Sequence, residues 1–105
     1  MRTRLTAWDK KSAFEYYRKT DGAITVFFGD DFEYSLILDG PVYDLLIRTF
    51  AGKEIRVNHC LAEENMEDWL VKNNIRAGIS RYVAPVLLHE GRAREGPRQG
   101  TITFT

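Results

Sequence analysis

The sequence predicts an α+β fold: a single domain over residues 1–105, with a mainly antiparallel sheet of four to five strands and two or three helices packed on one face. Its length of 105 residues fits one domain. Its content of 44% apolar and 29% charged residues is typical of a globular protein. Segments rich in β-branched and aromatic residues alternate with segments of helical periodicity, which indicates a mixed fold.

The first predicted element is a helix within residues 6–22. Ser12 and Glu15 have the spacing of a capping box, in which each side chain bonds the other residue's backbone amide. Phe14 and Tyr17 lie three residues apart and would share one face of this helix.

Two strands joined by a turn follow the predicted helix. Residues 23–28 are β-branched and aromatic, residues 29–31 are Gly-Asp-Asp, and residues 32–38 alternate between two faces. This pattern predicts an antiparallel hairpin in which Leu36 lies on one face of the second strand and Ile37 on the other.

Residues 40–52 fit two interpretations. As a helix, the segment has Pro41 in its first turn, Gly52 at its end and one apolar stripe. As a strand, the segment would point its side chains alternately to the two faces of a sheet. We favour the helix because its ends and its stripe agree. Residues 53–57 are a short strand in either case, and a helix before them would allow one parallel pairing with strand 32–38.

The last third of the chain is predicted as a helix at 61–74, a strand at 82–90, a connection at 91–100 and a strand at 101–105. In the segment 61–74, apolar residues at helical spacing form one stripe, and the acidic residues lie mainly outside it. This pattern supports the helix. Pro85 has no amide donor, so the strand that contains it would lie at an edge or at a bulge.

Charge is distributed unevenly although the formal net charge is zero. Residues 1–19 carry a net +4, residues 20–75 a net −7 and residues 76–105 a net +3. This order argues against one broad nucleic-acid face. It allows a local basic surface where the two ends meet, and it suits head-to-tail or self-complementary association.

Two features indicate a cytoplasmic protein. No apolar run approaches the roughly 20 residues of a membrane-spanning helix, and the N-terminal residues have no apolar signal region. The single cysteine cannot form a disulfide within the chain, which is typical of a reducing compartment.

The pair His59-Cys60 allows three interpretations. The favoured one is the start of helix 61–74, with Cys60 at or beside the N-cap as a structural thiol and Glu63 as the capping acid. In the second, Cys60 is a nucleophile and His59 its base, but neighbouring strand residues point to opposite faces. The third is a metal site that also recruits His89 and carboxylates, yet no zinc-binding spacing is present. We therefore predict no catalytic residue, no metal site and no cofactor.

The connection 91–100 is the predicted functional segment. Arg92, Arg94 and Arg98 offer planar donors that suit phosphate, carboxylate or an acidic protein surface, and the glycines around them leave the backbone free. The hypothesis is that this segment is mobile and becomes ordered on contact with an anionic partner. In the alternative interpretation it is a solvated connection whose charges protect a sheet edge.

Three classes of function remain open. The first is a non-enzymatic binding module that forms a homodimer, because the chain has two tryptophans, five tyrosines and six phenylalanines for one small core to bury. The second is a small-ligand or anion-binding domain, enzymatic or not, that uses the 91–100 connection. The third is a nucleic-acid binder that uses the basic terminal segments and the aromatic residues between the N-terminal cations.

Overall fold

A computed structural model describes residues 2–105 of the chain. Over this range there are seven strands and three helices. In chain order they are β1 (Thr3–Thr6), β2 (Ala13–Arg18), β3 (Ile24–Phe28), β4 (Tyr34–Leu38), α1 (Gly40–Thr49), β5 (Glu54–Arg56), α2 (Met66–Lys72), α3 (Ser80–His89), β6 (Ala93–Glu95) and β7 (Thr101–Phe104).

The strands form two antiparallel sheets. The first, sheet A, has the order β1-β2-β3-β4, and the second, sheet B, has the order β5-β7-β6. The predicted α+β class is confirmed, with the strands divided between two sheets. The predicted parallel pairing of 32–38 with 53–57 is wrong, because β4 and β5 belong to different sheets.

The hairpin and the helix after it are confirmed. β3 and β4 pair with Val26 opposite Leu36, and their connecting turn includes Gly29 at φ +98°. α1 has a proline in its first turn and buries Tyr43 and Leu46. Both elements have a local sequence pattern strong enough to specify them. In the hairpin, side chains alternate between two faces, and in the helix a proline in the first turn is followed by one apolar stripe.

The predicted helix at 6–22 is wrong, because the segment forms the end of β1, a turn and β2. Phe14 and Tyr16 are buried on the inner face of sheet A, while Glu15 and Tyr17 point to its outer face. This is the period-two alternation of a strand. The capping-box spacing was coincidental, since Glu15 instead bonds Arg4 of β1 and Arg2 just before it.

The helix predicted at 61–74 begins later, at Met66. Its N-cap is Asn65, whose side-chain oxygen accepts the amide N–H of Asp68 at 2.8 Å. The Asn65 amide also donates to the backbone oxygens of Cys60 and Glu63, both at 3.1 Å. These bonds hold residues 60–65 in a loop, so the prediction that Cys60 caps the helix is wrong.

The strand predicted at 82–90 is helix α3, with Pro85 inside it. A proline in a helix leaves the carbonyl four residues earlier without its donor. Here that carbonyl belongs to Arg81, and it accepts the backbone N–H of Trp8 at 2.8 Å. The β1–β2 turn therefore supplies the bond that the proline removes.

The core is one apolar cluster that includes residues of both sheets and of all three helices. Tyr82 of α3 packs on Phe14 and Phe28 of sheet A, with ring centroids 5.1 and 5.2 Å away. Phe50, which follows α1, packs on Phe104 of sheet B at 5.9 Å. The two sheets thus contribute to one apolar cluster. Among residues 2–105, no helix has the length and apolar character needed to cross a membrane.

Candidate functional site

Arg98 lies in the turn between β6 and β7 and is held by carboxylates of its own chain. Its Nη1 donates to Glu63 at 2.5 Å, and its Nε is 3.3 Å from Glu54. Glu63 also accepts from Arg56 at 2.6 Å. The hydrogen bond from Arg98, followed by that from Arg56, lowers the pKa of Glu63, so this carboxylate stays ionised. The Arg98 guanidinium is therefore already paired with two acids.

Arg92 and Arg94 are exposed and differ from Arg98 in their surroundings. Neither has an ion-pair partner within residues 2–105. Arg94 stands opposite Thr103 in sheet B, and β7 lies between β6 and the strand that carries Glu54. Arg94 and Arg98 thus lie toward opposite edges of sheet B, and anion binding by the three arginines stays a prediction.

Part of the 91–100 segment forms regular secondary structure. Residues 93–95 form β6, which pairs with β7 from Ala93 to Glu95. The carbonyl of Arg92 accepts both the amide and the hydroxyl of Thr105. The prediction of a connection without secondary structure is therefore wrong for residues 93–95, which form an edge strand of sheet B, whereas the mobility of the segment stays a prediction.

A groove of about 670 Å³ opens between the β1–β2 turn and the β6–β7 turn; we call it the turn groove. One wall is formed by residues 8–10 and the other by residues 95–101, with Asn58 also lining it. Sequence analysis missed this site because its walls come from opposite ends of the chain, and no local motif relates them.

A polar network joins sheet A, α1 and the end of α3 around the Glu90 carboxylate. Tyr43 donates to it at 2.9 Å and Tyr16 at 3.2 Å, and Arg18 donates through Nε at 3.2 Å and through Nη2. Burial alone would raise the pKa of Glu90, but the bonds from Arg18 and Tyr43 and the Arg18 charge lower it overall. Burial, with the Glu90 charge next, raises the pKa of Tyr16 to about 12. The side chains of this network are hydrogen-bonded to one another, as is usual for buried polar groups.

His59 and Cys60 do not form a nucleophile–base pair in this structure. The His59 ring nitrogen Nδ1 lies 2.7 Å from Asp68 Oδ1, and the hydrogen bond with His59, followed by that from Asn65, lowers the pKa of Asp68. Cys60 is half-buried in the loop before α2. Over residues 2–105 there is no group of three or more histidine, cysteine and acidic side chains arranged to hold a metal ion.

The N-terminal aromatic and basic residues are separated by the fold. Phe14 and Tyr16 are buried, and Arg18 is paired with Glu90. Tyr17 is 38% exposed on the opposite face of sheet A. These side chains cannot form one continuous stacking surface for nucleic-acid bases, so the structure adds no support to that class.

The two edges of sheet A are chemically different. β4 has the sequence YSLIL, without charge, proline or glycine, and its Tyr34 and Ile37 are 59% and 53% exposed. No backbone bond joins β4 to any element of residues 2–105 other than β3. The opposite edge, β1, carries Arg4, and Arg2 lies just before it.

The outer face of sheet A is partly covered by these arginines. The Arg2 guanidinium lies 3.5 Å from the ring centre of Phe27, and that of Arg4 lies 4.9 Å from the ring centre of Phe32. Both arginines also bond Glu15. The β4 edge is therefore the apolar part of sheet A that has the least cover.

Comparison with known proteins gives no relative: no protein-family model, no curated protein and no solved structure matches this chain.

Proposed function

We propose that this protein is a non-enzymatic interaction module that forms a homodimer by pairing its β4 edges. The observation that carries the proposal is an uncharged, apolar strand whose outer edge has no partner among residues 2–105. Such an edge offers a row of free N–H and C=O groups, and proteins usually protect it with charge, proline or a bulge. β4 has none of these devices within its own span.

The β4 sequence suits pairing with a second copy of itself. In an antiparallel pair centred on Leu36, Tyr34 would face Leu38 of the second copy, and Ser35 would face Ile37. Each pair places an apolar side chain beside an aromatic or small one, and such cross-strand contacts contribute about 0.2–1 kcal/mol each. The two sheets would then join into one continuous sheet about a two-fold axis, the commonest symmetry of soluble assemblies.

In this proposal the predicted homodimer has a specific interface, the β4 edge of sheet A. Pro85 no longer indicates an edge strand, because it lies inside α3. The side chains around Glu90 and Asp68 are engaged in pairs within the chain, which favours a binding role over catalysis. The single free thiol at Cys60 suits a reducing compartment, and we propose a cytoplasmic location.

Substitution of Ile37 by lysine tests the proposal. A lysine on an edge strand opposes pairing with another strand, and Ile37 is exposed, so the monomer fold should persist. We expect the wild-type protein to scatter light as a dimer at micromolar concentration and Ile37→Lys as a monomer. Val71→Lys is the matched control, because Val71 is a 46% exposed β-branched residue on α2. This control should remain a dimer.

Circular dichroism spectra should be the same for all three proteins. A wild-type monomer, or an Ile37→Lys variant that remains dimeric, would overturn the β4 interface.

A further inference from the structure

Several polar side chains that line the turn groove have no partner among residues 2–105. Over residues 2–105, no hydrogen bond engages the Trp8 indole N–H, the Lys10 ammonium, or the side-chain amides of Asn58 and Gln99. The Glu95 carboxylate, also in the groove, is free of ion pairs in the same range. A concave surface lined by polar side chains that are free to bond a ligand is a candidate ligand site.

The charges of the groove favour a neutral ligand. Lys10 and Glu95 are opposite in sign, and Arg98 is neutralised by Glu54 and Glu63. Asp9 adds a second carboxylate, 3.9 Å from Arg81. Among residues 2–105, Asp9 and Arg98 are both ion-paired, which leaves one unpaired acid, Glu95, and one unpaired cation, Lys10, in the groove. The groove therefore has no excess positive charge for the anion that the arginine-rich sequence predicts.

The shape and surface of the groove suit a sugar. Its volume of about 670 Å³ is in the range of ligand-binding clefts. Trp8 is half-buried against the core and Pro97 lies across from it, which provides apolar walls. Each sugar hydroxyl both donates and accepts, and so do the amides of Asn58 and Gln99, while Lys10 donates and Glu95 accepts.

The backbone conformation of Lys10 is a further reason to consider the turn groove a ligand site. Its φ is +60°, in the left-handed region where glycine is the usual residue. A lysine therefore occupies the turn at a conformational cost, and it is one of the residues that line the groove.

We propose that the turn groove binds a neutral, polyhydroxylated ligand, a short oligosaccharide stacked on Trp8 and hydrogen-bonded to Lys10, Asn58, Glu95 and Gln99. The site lies between the β1–β2 and β6–β7 turns, whereas the proposed dimer uses the β4 edge of sheet A. Binding and dimerisation can therefore be tested separately.

Titration followed by nuclear magnetic resonance provides the test. The chain has two tryptophans, so its spectrum has two indole N–H signals, and Trp69 is an internal reference outside the turn groove. The probes are neutral trisaccharides of glucose, galactose, mannose and N-acetylglucosamine, with inorganic phosphate and adenosine monophosphate for comparison. We expect at least one trisaccharide to shift the Trp8 signal in a saturable way and to leave Trp69 in place.

Variants locate the binding site. Gln99→Ala and Lys10→Ala should each lower the affinity for the trisaccharide about three- to tenfold, which is the effect of one lost hydrogen bond. Lys19→Ala, an exposed lysine at the other end of β2, should bind as the wild type does. Three outcomes would overturn the proposal: no trisaccharide shifts Trp8, phosphate or the nucleotide shifts it at lower concentration, or Lys19→Ala weakens binding as much as Lys10→Ala.

Discussion

At the scale of single residues, Glu90 connects parts of the fold that are far apart in sequence. Its carboxylate accepts bonds from Tyr16 on β2 and Tyr43 on α1, and it pairs with Arg18. The Glu90 side chain is 18% exposed, so these bonds form in a partly desolvated place. Loss of the carboxylate would leave three donors with poorer partners, and unmade bonds of this kind are costly.

We expect Glu90→Gln to lower the free energy of unfolding by about 1–3 kcal/mol at neutral pH. Urea denaturation measures this, and the exposed Glu64→Gln is the control, with a change within about 0.5 kcal/mol. The folded pKa of Glu90 lies below its unfolded value, so its contribution is present above the unfolded pKa of about 4.3 and is lost as pH falls through the folded pKa.

The difference between wild type and Glu90→Gln should therefore shrink in acid. A difference that stays constant from neutral pH to pH about 3 would show that the Glu90 charge does not stabilise the fold.

At the scale of elements, α3 shows how a helix can contain a proline when the carbonyl that the proline leaves free finds a donor elsewhere in the chain. The carbonyl of Arg81, freed by Pro85, accepts from Trp8 in the β1–β2 turn. The same bond fixes that turn against α3 and thereby positions one wall of the turn groove. Helix α3 and the groove are linked through this bond and through the ion pair of Arg81 with Asp9.

Pro85→Ala should accordingly stabilise the protein much less than removal of an uncompensated helix proline, which gains about 3 kcal/mol. The new amide of residue 85 would compete with Trp8 for the Arg81 carbonyl. We expect a gain below about 1 kcal/mol in thermal or urea denaturation, because one bond is exchanged for another. The Trp8 amide should also exchange its hydrogen faster. A gain near 3 kcal/mol with unchanged exchange at Trp8 would contradict this interpretation.

At the scale of the whole molecule, the unpaired edge lies in an acidic part of the chain. Residues 20–47 contain six acidic residues and no lysine or arginine. In the proposed dimer, Glu33 would face Asp39 of the second copy at both ends of the paired strands. Like charges across a pair oppose association, whereas a basic partner on the same edge would be attracted.

Salt should therefore strengthen the homodimer. Between low and physiological salt the Debye length falls from about 30 Å to about 8 Å, which screens the repulsion. Two like-charge contacts of about 0.5 kcal/mol each predict a dissociation constant about fivefold lower at the higher salt. Sedimentation equilibrium measures this constant. A dimer that weakens as salt increases would indicate an interface of opposite charges and would exclude the β4 pairing.

The hairpin of β3 and β4 and helix α1 could be predicted from sequence because their signals are local. Alternation, a turn with glycine and an early proline all act within a few residues. Anion binding by Arg98 stays a prediction, and its partners within the chain could not be predicted from sequence. Glu54 and Glu63 lie 44 and 35 residues away in sequence.

The formation of β2, α3 and the turn groove depends on tertiary contacts and could not be predicted from the sequence. In α3, Tyr82, Val83 and Ala84 are consecutive and all buried, so the helix has no polar face whose period would reveal it. Its proline is tolerated because Trp8 supplies a donor from the other end of the chain. Sequence patterns record contacts between neighbours along the chain, whereas these elements depend on partners that meet only when the chain has folded.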